Sequence, residues 1–426
     1  MINTKYFKGK KITILGLARS GFACANLLHN LGAFVRVTDV NDNMQTRGFA
    51  MRFEAKEIQV ELGGHSKDFI SSSDLVVVSP GVPAEAEPLI WAKELAKPVI
   101  SEIELASMLC PAQIIAVTGS NGKTTVTTLI GKILEKAGKR VFVCGNIGNP
   151  FCGEVEKLKT GDFVVLEVSS FQLETIKNFK PKIAVILNLT PNHLDRYADM
   201  REYLEAKKRI FMNQRGNDFL VLNADDPVLK DICLKPKSKV VFFSKQENLN
   251  PNQSAVIEVS KILGVRMKDV LAVFQDFKGL EHRMEEVAQI NGVKFINDSK
   301  ATTADSAIWA ISNINAPLIL IAGGRHKGID YKVILGAARN KVKQAFLIGE
   351  AKDIIASDLS GGFPVEKVAS LKEAVIKSFA QARPGDYVLF SPMCSSFDMF
   401  RDYQQRGEAF KRIVLDLPKE FKETHG

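Results

Sequence analysis

The chain has 426 residues, of which 46% are hydrophobic and 25% are charged, and its formal net charge at pH 7 is +9. This composition excludes a disordered chain, and the length predicts two to four domains, with three favoured. No apolar run approaches the roughly 18 residues that would span a membrane, so we expect no membrane insertion. The basic N-terminal segment leads straight into a strand pattern, so we expect no export signal. Lysines and arginines are spread along the whole length, which favours an anionic small molecule over nucleic acid as a partner.

Six cysteines are present, and no two of them form a Cys-x-x-Cys pair. In a chain of this length, that spacing favours reduced thiols in the cytoplasm over a disulfide framework or a zinc site. They stand at positions 24, 110, 144, 152, 233 and 394.

Strand and helix patterns alternate along the chain, as is typical of parallel βαβ units. The first series predicts strands at 11–16, 34–37 and 75–79, with a helix at 20–31. The second predicts strands at 114–118, 141–144, 163–168, 183–189, 219–223 and 240–244. The third predicts strands at 295–297, 318–323, 345–349 and 387–391. A new series starts near 102 and again near 281, which predicts domains at 1–101, 102–280 and 281–426.

The most specific local motif is Thr-Gly-Ser-Asn-Gly-Lys-Thr-Thr at positions 118–125, between a strand pattern and a helix pattern. Backbone N–H groups at a helix N-terminus bind phosphate oxygens, and glycines let the backbone approach them closely. A lysine at this place reaches the β- and γ-phosphates, and the threonine after it offers a hydroxyl to Mg²⁺. Only two residues separate the glycines, so the loop is a shortened variant. The predicted nucleotide contacts are Gly119, Ser120, Asn121, Gly122, Lys123, Thr124 and Thr125.

Candidate metal and acid–base residues follow this loop. Glu167 ends a strand pattern, and His193 and Asp195 come just after the next one, so all three share the edge of a parallel sheet where ligands bind. Glutamate oxygens suit Mg²⁺, whereas histidine is a less usual ligand for it. Lys207 lies in a helical stretch and, taken alone, is typical of a solvated helix face.

Four segments together resemble one family. TGSNGKTT, LEVSSFQLE, NLTPNHLDRY and EAKKRIF occur in this order and at these separations in a chain similar to the Mur ligases, ATP-dependent enzymes that form amide bonds in peptidoglycan precursors. The short phosphate loop is typical of that family. The segments at 297–303, 323–328 and 391–400, together with residues 405–407, are most similar to the branch that adds D-glutamate. The resemblance runs from about residue 10 to residue 415.

The resemblance implies an α/β fold of three domains: an N-terminal Rossmann-like domain, a central P-loop ATPase-like domain and a C-terminal Rossmann-like domain. It implies UDP-N-acetylmuramoyl-L-alanine and D-glutamate as substrates, and we expect a monomer. The first domain would hold the uridine diphosphate part of the substrate. Its loop has alanine where a dinucleotide fingerprint has its middle glycine, which disfavours NAD. The residues implied are Gly16, Leu17, Ala18, Arg19, Ser20, Asp39, Pro80 and Gly81.

The central domain would bind ATP and two Mg²⁺ ions. The resemblance implies Lys123, His193 and Lys207 as catalytic residues, and it implies that CO₂ converts Lys207 to a carbamate. The adjacent Lys208 leaves the register open by one residue, and the match of the surrounding residues favours Lys207. The implied metal ligands are Thr124, Glu167, His193 and Lys207, and the implied contacts to the muramoyl substrate are Asn146, Ser169 and Gln172.

The third domain would contribute Arg283 and Asp298 to the nucleotide. It would surround D-glutamate, whose two carboxylates suit cationic side chains. The residues implied there are Lys300, Thr302, Lys327, Ser396 and Phe397.

One segment departs from the family pattern. A His-Asn-x-x-Asn motif on the adenine side is replaced here, with Leu249 for the histidine and Gln253 for the second asparagine. We still expect Asn250 and Gln253 to contact ATP. The connection from residue 243 to residue 250 is short, which predicts that the central sheet lacks a hairpin.

Three alternatives stay open. The chain could be another Mur-type or folylpolyglutamate-type ligase, although the C-terminal segments disfavour this. It could be a nucleotide-binding paralogue that does not ligate. An NAD-dependent oxidoreductase is disfavoured by Ala18 and by the phosphate loop.

Overall fold

The computed structural model describes residues 4–54, 56–191, 196–231 and 236–423. The chain divides into two compact units. The first contains residues up to 189 together with residues 199–277, and the body of the second begins at residue 278.

The first sheet has five parallel strands in the order β3-β2-β1-β4-β5. Its central strands are apolar and almost completely buried, which is typical of a parallel sheet covered on both faces. The strands are β1 (Lys11–Leu15), β2 (Phe34–Asp39), β3 (Gln59–Leu62), β4 (Leu75–Val78) and β5 (Val99–Ser101), and the helices are α1 (Arg19–Asn30), α2 (Met44–Met51), α3 (Lys67–Ser71), α4 (Glu87–Glu94) and α5 (Glu102–Leu109).

The second sheet has six parallel strands in the order β11-β10-β9-β6-β8-β7. Because β6 lies between β8 and β9, the loop after β6 lies beside the carboxyl ends of both neighbours. The strands are β6 (Gln113–Thr118), β7 (Val141–Gly145), β8 (Phe163–Glu167), β9 (Ile183–Ile186), β10 (Phe219–Asn223) and β11 (Lys239–Phe243), and the helices are α6 (Lys123–Lys136), α7 (Ser170–Leu173), α8 (Met200–Lys208), α9 (Pro227–Asp231), α10 (Pro251–Ile262) and α11 (Met267–Asp276).

The first two sheets share one continuous hydrophobic core, which explains why they form a single unit. A buried carboxylate reinforces their connection. Glu104 on α5 is fully buried and accepts hydrogen bonds from the backbone N–H groups of Lys177, Asn178 and Phe179 at 3.1, 2.8 and 2.8 Å. These bonds fix α5 against the segment that leads into β9.

The third sheet lies in the second unit and has six strands in the order β12-β13-β17-β14-β15-β16. Only β12 is antiparallel among its described strand pairs, and it joins β13 through an Asn291-Gly292 turn in which both residues have positive φ, as a two-residue hairpin requires. The strands are β12 (Glu285–Ile290), β13 (Val293–Asn297), β14 (Leu318–Gly323), β15 (Val342–Ile348), β16 (Val365–Lys367) and β17 (Tyr387–Phe390), and the helices are α12 (Ala304–Asn313), α13 (Leu335–Ala338), α14 (Lys352–Asp358), α15 (Leu371–Gln381) and α16 (Tyr403–Glu423).

Every strand predicted from the sequence is present within a few residues of its predicted position. The predicted short connection is confirmed: seven residues join β11 to α10 and contain a single bridge, between Gln246 and Leu249. Across the described ranges, no helix is both long and apolar enough to cross a membrane. The five cysteines in those ranges are buried free thiols, and Cys233 lies outside them.

Candidate active site

The phosphate loop connects β6 to α6, and its two glycines are required by its backbone. Gly119 and Gly122 have φ of +147° and +83°, values that residues with a β-carbon rarely adopt. A β-carbon at Gly119 would lie 3.0 Å from Leu187 Cβ, and one at Gly122 would collide with Asn252 Oδ1. Lys123 begins α6, and its Nζ donates to the carbonyl oxygens of Gly119 and Ser120, each at 2.9 Å.

Lys207 lies at the end of α8 and is buried against this loop, with 1% of its surface exposed. Its Nζ donates to Gly119 O at 3.1 Å and lies 3.5 Å from Thr118 Oγ1. Burial, together with the nearby charge of Lys123, holds the pKa of Lys207 well below its usual value. Lys208 instead forms a half-exposed ion pair with Glu205 at 2.6 Å. Lys207, the lysine favoured from the sequence, is therefore the one that contacts the loop, and its catalytic role stays a prediction.

Tyr203 is a site residue that the sequence analysis missed. It stands four residues before Lys207 on α8, and Lys207 Nζ lies 4.4 Å from the centre of its ring. Its hydroxyl is 3.4 Å from Ser120 Oγ, and burial raises its pKa to about 12. The i, i+4 spacing of an aromatic residue and a lysine on one helix was the available signal.

Glu167 ends β8, in register with Val117 just before the phosphate loop. Its carboxylate is buried, and Oε1 accepts from Asn146 Nδ2 at 2.9 Å. Oε2 is buried without a hydrogen-bond partner among the described residues. An orphaned carboxylate oxygen next to a phosphate loop fits a divalent cation, because Mg²⁺ takes oxygen ligands. His193 and Asp195 lie outside the described residues.

Two pairs of predicted ligand contacts form capping boxes. Ser169 and Gln172 cap α7, each side chain bonding to the backbone of the other residue. Asn250 and Gln253 cap α10 in the same way. These side chains therefore have structural partners, and their contacts to substrate and nucleotide stay predictions.

The predicted uridine loop joins β1 to α1. Gly16 has a φ of +90°, and a β-carbon at Gly21 would collide with Gly16 O, so both glycines are needed for the close packing of this turn. Asp39 Oδ2 accepts from Leu17 N at 2.6 Å. Arg19 donates to Gly148 O, in the loop that carries Asn146. The other residues predicted here lie on the same loop, at the start of α1 or just after β4, namely Ala18, Ser20, Pro80 and Gly81.

In the second unit, Asp298 follows β13 and is buried. It accepts hydrogen bonds from Ser391 Oγ at 3.0 Å and from Met284 N at 3.3 Å. Burial raises its pKa to about 7, and the nearby charge of Arg283 opposes that rise. Arg283 Nε is buried without a partner among the described residues. These two predicted nucleotide residues are therefore close enough for the charge of one to affect the pKa of the other.

The predicted D-glutamate residues lie on loops after β13, β14 and β17, at one edge of the third sheet. Buried Arg406 ties two of these loops together by donating to Ser299 O at 2.7 Å and to Cys394 O at 3.1 Å. Lys300 Nζ lies 5.0 Å from the ring centre of Tyr403, a second residue that the sequence analysis missed. The predicted residues there are Lys300, Thr302, Lys327, Ser396 and Phe397, of which Phe397 is exposed.

His326 precedes Lys327 in the loop after β14. In the structure, its Nδ1 lies 3.0 Å from the Tyr331 hydroxyl, which in turn lies 3.1 Å from Cys394 Sγ. This chain of contacts links the loop after β14 to the loop after β17.

Three family models match consecutive parts of the chain. They describe a Mur ligase MurD-like N-terminal domain at residues 10–101, a Mur ligase middle domain at 117–282 and a Mur ligase glutamate ligase domain at 282–394. The chain belongs to the Mur ligase family.

Curated Mur ligases match it along almost its whole length. Those from Geotalea daltonii and Caldicellulosiruptor bescii are 41% and 42% identical to it, over 96% of this chain and 98% of each relative. Both are named UDP-N-acetylmuramoylalanine–D-glutamate ligase. The solved structure of the UDP-N-acetylmuramate–alanine ligase from Thermotoga maritima shares the fold, with a TM-score of 0.62 at 18% identity, covering 96% of this chain and 99% of that one.

Proposed function

We propose that this Mur ligase joins D-glutamate to UDP-N-acetylmuramoyl-L-alanine, with conversion of ATP to ADP and phosphate, in peptidoglycan precursor synthesis. The observation that carries the proposal is the similarity of 41–42% identity, over 96% of the chain, to relatives named for this reaction. The retention of Lys123, Glu167 and Lys207 around one phosphate loop supports it.

The proposed reaction has two steps. The terminal carboxylate of the UDP substrate attacks the γ-phosphorus of ATP, the bond from that phosphorus to the bridging oxygen breaks, and ADP leaves an acyl phosphate behind. The amine of D-glutamate then attacks the acyl carbon, the C–N bond forms, the C–O bond to phosphate breaks, and the amine loses a proton. Lys123 would neutralise charge on the transferring phosphoryl group, a task of positioning and electrostatics.

Lys123→Ala tests this role. We expect the variant to form no acyl phosphate, which hydroxylamine trapping would detect when the enzyme is incubated with ATP and the UDP substrate but without D-glutamate. Substantial trapped product from the variant would contradict the role given to Lys123.

Thr124, Glu167, His193 and Lys207 would hold two Mg²⁺ ions, which, when bound, supply positive charge at the phosphates. The orphaned Oε2 of Glu167 supports its part, whereas the part of His193 rests on its sequence motif. We propose that Lys207 is carbamylated: its neutral amine adds to CO₂, an N–C bond forms and a proton is released. The low pKa of Lys207 supports this, because only the neutral amine is a nucleophile.

For the other substrates, we assign UDP binding to residues 1–101, ATP and metal binding to 102–280, and D-glutamate binding to 281–426. Lys300 and Lys327 supply cations for the two carboxylates of D-glutamate, with Thr302, Ser396 and Phe397 beside them. Tyr403 joins this set because its ring lies against Lys300.

The deciding experiment measures phosphate release with ATP, Mg²⁺ and UDP-N-acetylmuramoyl-L-alanine, comparing D-glutamate with L-glutamate, L-alanine and glycine, and detects the product by mass. We expect turnover with D-glutamate alone and a product of the corresponding mass. Turnover with another amino acid would identify a different ligase of the family. No turnover in a folded protein that still binds the uridine nucleotide would identify a binding protein that does not ligate.

A further inference from the structure

One asparagine outside the phosphate loop holds the loop's backbone in place. Asn188 lies two residues beyond the end of β9. Its Oδ1 accepts from Asn121 N at 2.8 Å, and its Nδ2 donates to Asn121 O at 3.1 Å. Its own carbonyl oxygen accepts from Ser120 N at 3.0 Å. Asn188 therefore bonds to three backbone groups of two adjacent loop residues.

The segment that carries Asn188 is itself fixed from behind. Leu187 N donates to Thr118 O at 3.0 Å, and Leu187 O accepts from Asn223 Nδ2 at 3.1 Å. Leu189 N donates to Asp226 Oδ2 at 2.8 Å. The residues on either side of Asn188 are thus hydrogen-bonded to the end of β10 and to the residue before α9. These bonds fix the backbone that carries the Asn188 side chain.

We propose that Asn188 is a positioning residue that holds the phosphate loop in its nucleotide-binding shape before the nucleotide arrives. The loop has two glycines at positive φ, and glycine loses more conformational freedom on ordering than any other residue. A loop that is ordered in advance does not have to lose that freedom when the nucleotide binds. The inference rests on the proposed function, since it assumes that this loop binds ATP.

Asparagine is the residue type that best matches the two side-chain hydrogen bonds to Asn121. Asn121 presents one N–H donor and one carbonyl acceptor, and a side-chain amide is complementary to both. Alanine would remove both side-chain bonds. Aspartate would keep the acceptor for Asn121 N, place a second oxygen against Asn121 O and add a negative charge beside the phosphates.

The test is calorimetric titration of Asn188→Ala and Asn188→Asp with ADP and, separately, with UDP-N-acetylmuramoyl-L-alanine. We expect Asn188→Ala to raise the Kd for ADP about tenfold, because the free loop loses two hydrogen bonds of ordinary strength that order it, and nucleotide binding must then order the loop instead. Asn188→Asp should raise it further, and added salt should reduce that extra loss. The Kd for the UDP substrate and the thermal midpoint of unfolding should change little.

Asn213→Ala is the matched control. Its Nδ2 donates to two backbone carbonyls, of Lys177 and Phe179, at 2.9 and 3.1 Å, so the variant loses contacts of the same kind elsewhere in the unit. We expect its affinity for ADP to equal that of the unaltered protein. If Asn188→Ala does not fold, Asn188→Asp carries the same comparison.

The outcomes separate the two proposals. Unaltered protein that binds neither ADP nor ATP would overturn the proposed function and this inference together. Unaltered protein that binds ADP with the same Kd as Asn188→Ala would overturn the inference alone. If Asn188→Ala weakened the binding of ADP and of the UDP substrate by the same factor and also lowered the thermal midpoint, the role of Asn188 would be purely structural. That result would also overturn the inference.

Discussion

Glu102, the first residue of α5, provides a quantitative test of how burial controls stability in the first unit. The side chain is 1% exposed. Oε1 accepts from Cys152 N at 2.6 Å, and Oε2 is buried with no hydrogen-bond partner among the described residues. Burial raises the pKa of this carboxyl from 4.5 to about 7. The folded protein therefore favours the neutral acid.

The sign of the pH dependence follows from linkage. Because the pKa is higher in the folded state, the folded protein holds this proton more tightly than the unfolded chain. The resulting stabilisation is fully present below the unfolded pKa of 4.5 and is lost as the pH rises through about 7. The shift corresponds to about 3 kcal/mol in total, of which about 2 kcal/mol falls between pH 5.5 and pH 8.

Glu102→Gln makes the group permanently neutral while retaining an acceptor for Cys152 N. We expect the free energy of unfolding to fall from pH 5.5 to pH 8 by about 2 kcal/mol more in the unaltered protein than in the variant. Asp298 titrates in a similar range, but it does so in both proteins and cancels from the difference.

Urea denaturation followed by tryptophan fluorescence measures this difference. The chain has two tryptophans, and a Trp309→Phe background confines the signal to Trp91, which lies in the same unit as Glu102. Exposed Glu57→Gln is the control, and its pH dependence should match that of the unaltered protein. If the free energy of unfolding changed with pH equally in the unaltered protein and in Glu102→Gln, the reasoning would be refuted.

Three further predictions concern single contacts. With ¹³C-bicarbonate near neutral pH, we expect a carbamate carbon signal that Lys207→Arg abolishes, because burial lowers the pKa of this amine and so raises its neutral fraction above that of an ordinary lysine; a signal that survives the substitution would place the carbamate elsewhere. Gly122→Ala should weaken ADP binding about tenfold, since the φ of +83° costs a β-carbon about 1–2 kcal/mol. Adding Asn252→Ala relieves only the collision, so complete recovery of the ADP Kd in the double variant would exclude backbone strain. Glu104→Gln should lower the free energy of unfolding by about 2–4 kcal/mol, because the NH₂ group of glutamine then faces backbone N–H groups that had donated to a carboxylate oxygen. A free energy of unfolding, measured by urea denaturation, within about 0.5 kcal/mol of that of the unaltered protein would contradict this, because that range is typical of surface substitutions.

The sequence alone predicted the interior strands of all three sheets and both outer strands of the second sheet, but it missed the outer strands of the other two sheets. The four missed strands, β3, β5, β12 and β16, are the outer strands of the first and third sheets. Interior parallel strands are buried on both faces and form continuous apolar runs, which stand out in a sequence. Of the missed strands, β3, β5 and β16 have only three or four residues, and β12 mixes polar with apolar residues, so none of them forms an apolar run long enough to stand out.

The same division holds within the active site. Local spacing was enough to predict the phosphate loop, because its glycines, lysine and threonine are close together in sequence at one helix start. Local spacing also carries the capping box of Asn250 and Gln253, although the sequence analysis assigned those side chains to ATP. Their separation of three residues is typical of a helix cap.

Only the tertiary structure decided which side chains meet across the fold. Asn188 pairs with Asn121 across 67 positions, and burial of Lys207 in place of Lys208 depends on how α8 packs against the phosphate loop. Residue periodicity indicates which face of an element is buried, but it carries no information about the group opposite that face. The loop, its lysine and its threonine were therefore determined by the sequence alone, whereas the groups that hold the loop and lower the pKa of Lys207 were determined by packing.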